Sequence, residues 1–245
     1  MILSIKSLEE LADYADQIRL NLSKKGFFLI RGLFDTHEIR ASLPTIYSYL
    51  DDTKILGTTQ GTRATPRNNS IKWSVGARTG TQPGNARLMI TIYNPVNADN
   101  VINFRHYFKK LISIRDIIRS DEKNTDDDHL SGESFNASRL QIYPQGGGFM
   151  LAHTDYIALE NSEIQKVPLL QLLLLVTQRG LDFKEGGAYL IHNGKEIDVE
   201  GQAHSGDILI YDGNSYHGVA DIDPFNALNT TSIRGRVVAL VTIYN

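Results

Sequence analysis

Two textures of hydrophobic pattern divide the chain. In the first, apolar residues recur three and four positions apart. Leu8, Leu11, Ala15, Ile18 and Leu22 follow a capping box made by Ser7 and Glu10 and precede Gly26, which predicts a helix ending at that glycine. Phe27 to Gly32 reads as a buried strand. Asp35 and Glu38 open a second helix with Ile39, Leu43, Ile46 and Leu50 on its apolar face, and Phe104, Phe108, Leu111 and Ile118 mark a third. Beyond Ser138 the texture changes. Short apolar runs alternate with turn residues: LQIY, FMLAHTDY, LLQLLLLVT, GGAYLIH, EIDV, GDILIYD, YHGVADI and RVVALVTIY. That is the pattern of an all-β sandwich or barrel.

Between the second and third helices lies a Gly-, Thr-, Asn- and Arg-rich stretch, long for a loop without structure, which is expected to form a lid or binding loop. Residues 119–136 read as a polar, acidic connection. No proline- or serine-rich linker separates the halves. Residues 1–245 are therefore expected to form a single domain, with a mainly helical part (1–137, carrying the substrate loop) wrapped on a β core (138–245).

Composition narrows the function. The 245 residues contain no cysteine, which excludes a disulfide scaffold, a zinc ribbon, an iron–sulfur centre and a Cys nucleophile. The net charge of -3 argues against general nucleic-acid binding. The N-terminus has no signal-peptide pattern, and the longest apolar run, Leu172 to Val176, is far too short to span a bilayer. A soluble, cytoplasmic protein with neither membrane nor nucleic acid as partner is expected.

The chemistry centres on His153-Thr154-Asp155. Residues two apart on a strand leave the same face, so His153 and Asp155 can grip one ion together. His217, 62 residues beyond Asp155 and just after the strand GDILIYD, is the candidate third ligand. Alone, an H-x-D pair is a common accident of sequence. Two imidazoles and one carboxylate on one side of a metal leave the other side open, as in the facial triad of non-haem Fe(II) oxygenases. Arg236 opens the last strand. An inward, buried Arg needs an anion, and its fork matches a carboxylate. A dicarboxylic cosubstrate chelating the metal at one end would bring its far carboxylate there. Arg234 has the same strand parity but lies in the preceding turn, so Arg236 is preferred. Arg139, Gln141 and Tyr143 share one strand face, from which Gln141 or Tyr143 could reach the cosubstrate.

These motifs in their order resemble the 2-oxoglutarate- and Fe(II)-dependent oxygenases. The similar text is LQIYPQGGGFMLAHTDY, DFKEGGAYLI, GDILIYDGNSYHGV and RVVALVTIYN, with GFFLIRGLFDTHEI resembling the opening strand and helix of many members. The resemblance covers the C-terminal part well and residues 53–137 hardly at all. It implies an α+β fold: a double-stranded β-helix core, jelly-roll and cupin-like, with N-terminal helices packed on it. It carries the Fe(II) ligands onto His153, Asp155 and His217, and the partner of the distal 2-oxoglutarate carboxylate onto Arg236. It further implies use of O2, with release of succinate and CO2 as the substrate is hydroxylated. Asp155 stands where halogenating relatives have a small residue, so halogenation is not expected. Two features depart from the pattern. The interval from His217 to Arg236 is long, with Asn226 to Ser232 resembling an inserted loop, and Val238 stands where a Ser often follows the Arg.

Residues 53–98 contain Lys54, Arg63, Arg67, Lys72, Arg78 and Arg87 but no acid, within a chain of net charge -3. Such a segment suits an anionic substrate, and Arg78, Trp73, Arg63, Arg67 and Arg87 are the expected contacts. A solvated loop balancing acid elsewhere is the plainer reading of the same charges. Hydroxylation of a small anionic or amino-acid-like molecule is the leading expectation. The alternatives are a protein or peptidyl hydroxylase and a non-catalytic cupin-like metal-binding barrel.

Overall fold

The apolar run after Gln171 becomes a strand buried on both faces, and the architecture follows from that. In the computed structural model the described residues are 2–52, 70–74, 86–94, 102–120, 135–155 and 170–244. The chain order is β1 (Ile2–Ser4), α1 (Leu8–Lys25), β2 (Phe27–Arg31), α2 (Thr36–Ala41), α3 (Leu43–Asp52), β3 (Ser70–Ser74), β4 (Ala86–Arg87), β5 (Met89–Tyr93) and α4 (Arg105–Arg119). Then follow β6 (Phe135–Pro144), β7 (Gly148–His153), β8 (Leu170–Leu175), β9 (Gly187–His192), β10 (Lys195–Asp198), β11 (Ile208–Asp212), β12 (Tyr216–Ile222) and β13 (Gly235–Tyr244).

Eight strands form the larger sheet in the order β1-β2-β11-β8-β13-β6-β5-β3, and five form the smaller one in the order β10-β9-β12-β7-β4. Alternation assigns each face of the larger sheet to a different core. Phe28, Ile30, Leu172, Leu174, Ile208, Ile210, Val237 and Ala239 pack with α1, α3 and α4 side chains such as Leu11, Ile18, Ile46, Phe108 and Leu111. The alternate set, Phe27, Leu29, Leu173, Leu175, Leu209, Tyr211, Val238 and Leu240, faces the smaller sheet through Ala188 and Leu190. The central strands thus read as unbroken apolar runs because neither face meets water.

The helix starts follow their local chemistry. Ser7 Oγ accepts the Glu10 N–H at 3.1 Å, and Gly26 ends α1 in the left-handed conformation at φ 79°. Glu10 reaches back to the N–H of Lys6 rather than that of Ser7. The single helix expected after Asp35 is two. Pro44 lacks the N–H that would bond to Arg40, so α2 closes at Ala41 and α3 restarts at Leu43. The periodicity survives the break: Ile39, Leu43, Ile46 and Leu50 are all buried.

The region expected to be a basic loop also holds strands. β3 and β5 extend the larger sheet beyond β6, and β4 forms the edge of the smaller one beside β7. Every residue of β5, MITIY, is buried. Isolated apolar pentapeptides give too short a periodic signal to stand out from a loop. No helix among the described residues is long and apolar enough to cross a membrane.

Leu174 is fully buried at the centre of the larger sheet, between β11 and β13. Leu174→Ala should cost about 2–5 kcal/mol of unfolding free energy through lost contact and a residual cavity. Urea denaturation followed by circular dichroism reads this directly.

Candidate metal centre

Three donor side chains meet at one end of the space between the sheets. His153 ends β7 and His217 lies near the start of β12, directly opposite it in the antiparallel register. Asp155 follows just beyond β7, where its N–H donates to the Gly213 carbonyl at 2.8 Å and ties that turn to the β11–β12 connection. Asp155 Oδ1 lies 3.7 Å from His153 Nε2, and Oδ2 lies 3.5 Å from His217 Nε2. The three ligand atoms all fall within 4.8 Å of one another, the one such cluster among the described residues. The convergence predicted from H-x-D and the distal His is therefore present.

The backbone sets which nitrogen faces the centre. His153 Nδ1 sits 2.8 Å from the Leu151 carbonyl, and His217 Nδ1 sits 2.9 Å from that of Ser215. Carbonyls only accept, so each Nδ1 carries the proton and each Nε2 presents its lone pair inward. Burial lowers the His217 pKa from its usual range, a shift opposed by the nearby Asp155 carboxylate and the Ser215 carbonyl. The neutral, ligating form is thereby favoured.

Behind the three donors a cavity of about 100 Å³ runs between the sheets, bounded by β6 and β13 on one side and β7, β9 and β12 on the other. Its depth is graded. The His153, Asp155 and His217 side chains are 22%, 27% and 11% exposed, whereas Arg236 is 1% exposed. The donors are therefore the more solvent-accessible part of the lining, and Arg236 is the more deeply buried. Arg236 pairs across the sheet with Tyr143, and Val238 with Gln141, so alternation brings Arg236, Tyr143 and Gln141 to the cavity face. The Tyr143 hydroxyl donates to Gln141 Oε1 at 3.4 Å, and burial pushes its pKa up to about 12, so the phenol remains a donor at neutral pH.

Arg236 is satisfied on one edge only. Its Nε–H donates to Glu200 at 2.9 Å, while Nη1 and Nη2 are buried without a hydrogen-bond partner among the described residues. Its competitor Arg234 is 40% exposed and already forked onto Asp51, with bonds of 3.2 and 3.1 Å.

The expected substrate contacts divide differently. Arg63, Arg67 and Arg78 lie outside the described residues. Trp73 corrects the expectation: it packs against the helix-side core, on the sheet face away from the cavity. Its register opposite Ile90, itself in that core, sets this orientation. Arg87 is exposed on β4, while its neighbour Ala86 packs with Met150 of the cavity wall, so alternation turns Arg87 outward. Sequence reasoning passed over Glu200, Gln171 and Tyr211. The last two are opposed in the β8–β11 register and both line the cavity, and the Tyr211 ring centre is 4.5 Å from that of His217. Strand parity within GDILIYD could have found Tyr211; nothing local marks Glu200.

The convergence predicts one metal site. His217→Ala or Asp155→Ala should abolish Mn(II) binding measured by calorimetry, whereas His204→Ala, at an exposed histidine, should leave it unchanged.

No family model matches the sequence, and no curated protein matches it. Solved structures match over nearly the whole chain. A prolyl hydroxylase from Trichoplax adhaerens, in complex with a hypoxia inducible factor oxygen degradation domain peptide fragment, gives a TM-score of 0.59 at 12% identity, covering 96% of this chain and 91% of that one. A Pseudomonas putida prolyl-4-hydroxylase gives 0.51 at 15% identity, covering 96% and 98%. A non-heme alpha ketoglutarate dependent epimerase from nogalamycin biosynthesis gives 0.56 at 9% identity, covering 94% and 81%. At these identities the likeness concerns the fold, and the fold of this chain is the double-stranded β-helix shared with those structures.

Proposed function

We propose that the chain is a 2-oxoglutarate-dependent non-haem Fe(II) oxygenase that hydroxylates a small anionic or amino-acid-like substrate, releasing succinate and CO2. One observation carries the reading: a His-Asp-His cluster and a buried, half-satisfied Arg line the same cavity. Two imidazoles and one carboxylate suit Fe(II) and leave coordination positions open. The unmet Nη groups of Arg236 suit a carboxylate in two-point contact. A 2-oxo dicarboxylate answers both at once.

When bound, iron and 2-oxoglutarate supply the oxidising chemistry with O2; the chain's own groups supply placement. His153, Asp155 and His217 would hold the metal from one side. Arg236 would orient the distal carboxylate, while the Tyr143 hydroxyl and Gln141 offer polar contact along the wall between. Leu173, Leu209, Leu240 and Val219 line the same cavity and exclude water from it. Of the basic residues of the 53–98 segment, Arg78 with Arg63 or Arg67 is proposed to meet the substrate's anionic group. In this reading the enzyme acts in the cytoplasm.

A peptidyl substrate is the second reading, supported by the fold-level likeness to two prolyl hydroxylases, one holding a peptide. A screen graded by size, from amino acids and their anionic derivatives to peptides, separates the two by which class stimulates turnover.

Succinate should form from 2-oxoglutarate only with both Fe(II) and O2; no succinate under any substrate would leave the metal-binding barrel as the better account. Arg236→Gln, which still offers Glu200 a donor, should weaken 2-oxoglutarate binding about tenfold to a hundredfold by removing charged hydrogen bonds, with Mn(II) affinity retained. Arg78→Gln should weaken substrate-stimulated turnover by about 1.5–3 kcal/mol without changing 2-oxoglutarate affinity. Unchanged substrate dependence would return the basic segment to a solvated role.

A further inference from the structure

Behind Arg236 lies a second buried charge that the proposed reaction has not yet used. Glu200 stands in a single 3-10 turn, Glu200–Gln202, between β10 and β11. It is 2% exposed, almost as deep as Arg236. One oxygen, Oε2, accepts both the Arg236 Nε–H at 2.9 Å and the Ala188 N–H at 2.9 Å. The backbone of β9 therefore fixes the acceptor, and the acceptor fixes the guanidinium.

Position 187 makes room for this arrangement. A Cβ there would lie 2.4 Å from Glu200 Cγ, and the backbone takes φ 115°, so glycine is required on both counts. A buried carboxylate held this way is costly unless its partners are well placed. Because the guanidinium is planar, an Nε–H direction set by Glu200 and a Cδ–Nε bond held by the buried side chain together fix its plane and so the direction of the Nη donors. Those donors have no partner among the described residues, and the side chain lines the cavity.

We propose that Glu200 is a positioning residue that sets the depth and angle of the Arg236 fork, and thereby selects the chain length of the dicarboxylate bound between that fork and the metal. The proposal rests on the reading of Arg236 given above. Its physical basis is that a charge-assisted fork is strong only when aligned, so displacing it by about an ångström costs much of the contact. A diacid one methylene shorter or longer misses a fixed fork, whereas a free fork would follow it.

The test is calorimetric titration of the Mn(II)-loaded full chain with oxaloacetate, 2-oxoglutarate and 2-oxoadipate. Pyruvate, which has the same keto acid but no distal carboxylate, is the control. The wild type should prefer 2-oxoglutarate to all three. Glu200→Gln keeps an acceptor at the same reach and should keep that preference. Glu200→Asp keeps the charge but retracts the acceptor by one methylene; it should cut the preference for 2-oxoglutarate over 2-oxoadipate about tenfold, with pyruvate unchanged. A wild-type preference in Glu200→Asp overturns the proposal. So does an equal loss for all four ligands, which marks a merely structural role, and so does a loss of preference in Glu200→Gln. Should Glu200→Asp fail to fold, Glu200→Gln decides: retained preference supports the proposal. A wild type that binds 2-oxoglutarate no better than pyruvate is the failure of the earlier reading and removes the proposal with it.

Discussion

Burial of the larger sheet on both faces is the constraint from which the rest follows. Its central strands β8, β11 and β13 cannot show polar side chains to water on either side, so they are apolar throughout except where polarity has a use. Among the exceptions, Gln171 on β8, Tyr211 on β11 and Arg236 on β13 line the cavity, while Thr242 on β13 donates to Gln171 and Asp212 ends β11. The side chains these strands bury in the helix-side core are Leu, Ile, Val and Ala. A polar residue in such a sheet is expensive, and its presence marks a place where something polar is met.

The cavity so formed is electrostatically polar along its length. Its more exposed part holds two imidazoles and a carboxylate, whose lone pairs suit a cation. Its most buried part holds a guanidinium, anchored on one edge and unmet on the other among the described residues, whose donors suit an anion. In a low-dielectric space between two packed sheets, each part discriminates strongly by charge. The Nδ1 atoms donate to nearby carbonyls, those of Leu151 within β7 and Ser215 just before β12, so local backbone orients both rings. Local backbone geometry thus orients the rings, and the β7–β12 register together with the Asp155–Gly213 bond brings the three donors together.

Much of the fold was legible because its signals are local. Capping at Ser7, the stop at Gly26 and the periodicity of α1 and α4 are written in consecutive residues. The strands after Ser138 were marked by turn residues at both ends. The division of one expected helix into α2 and α3 was written in Pro44 yet overridden by an apolar periodicity that continues across it. β3 to β5 were hidden because their neighbours, β6 and β7, lie far along the chain, and a pentapeptide gains its identity as a strand only from what it pairs with.

The candidate site divides along the same line. The sequence by itself pointed to His153 and Asp155 as a pair, to His217 after a strand and to Arg236 at the head of the last one, because strand alternation is a property of the backbone. Asp155 lies just beyond β7, and its bond to Gly213 sets its place. Tertiary structure alone decided that His217 stands opposite His153, that Trp73 faces the helices, and that Arg234 is taken by Asp51. It alone revealed Glu200, which comes from a different connection and reaches Arg236 only across the packed sheets. Pairing partners are chosen by register and by burial summed over whole sheets, and neither quantity belongs to any short stretch of sequence.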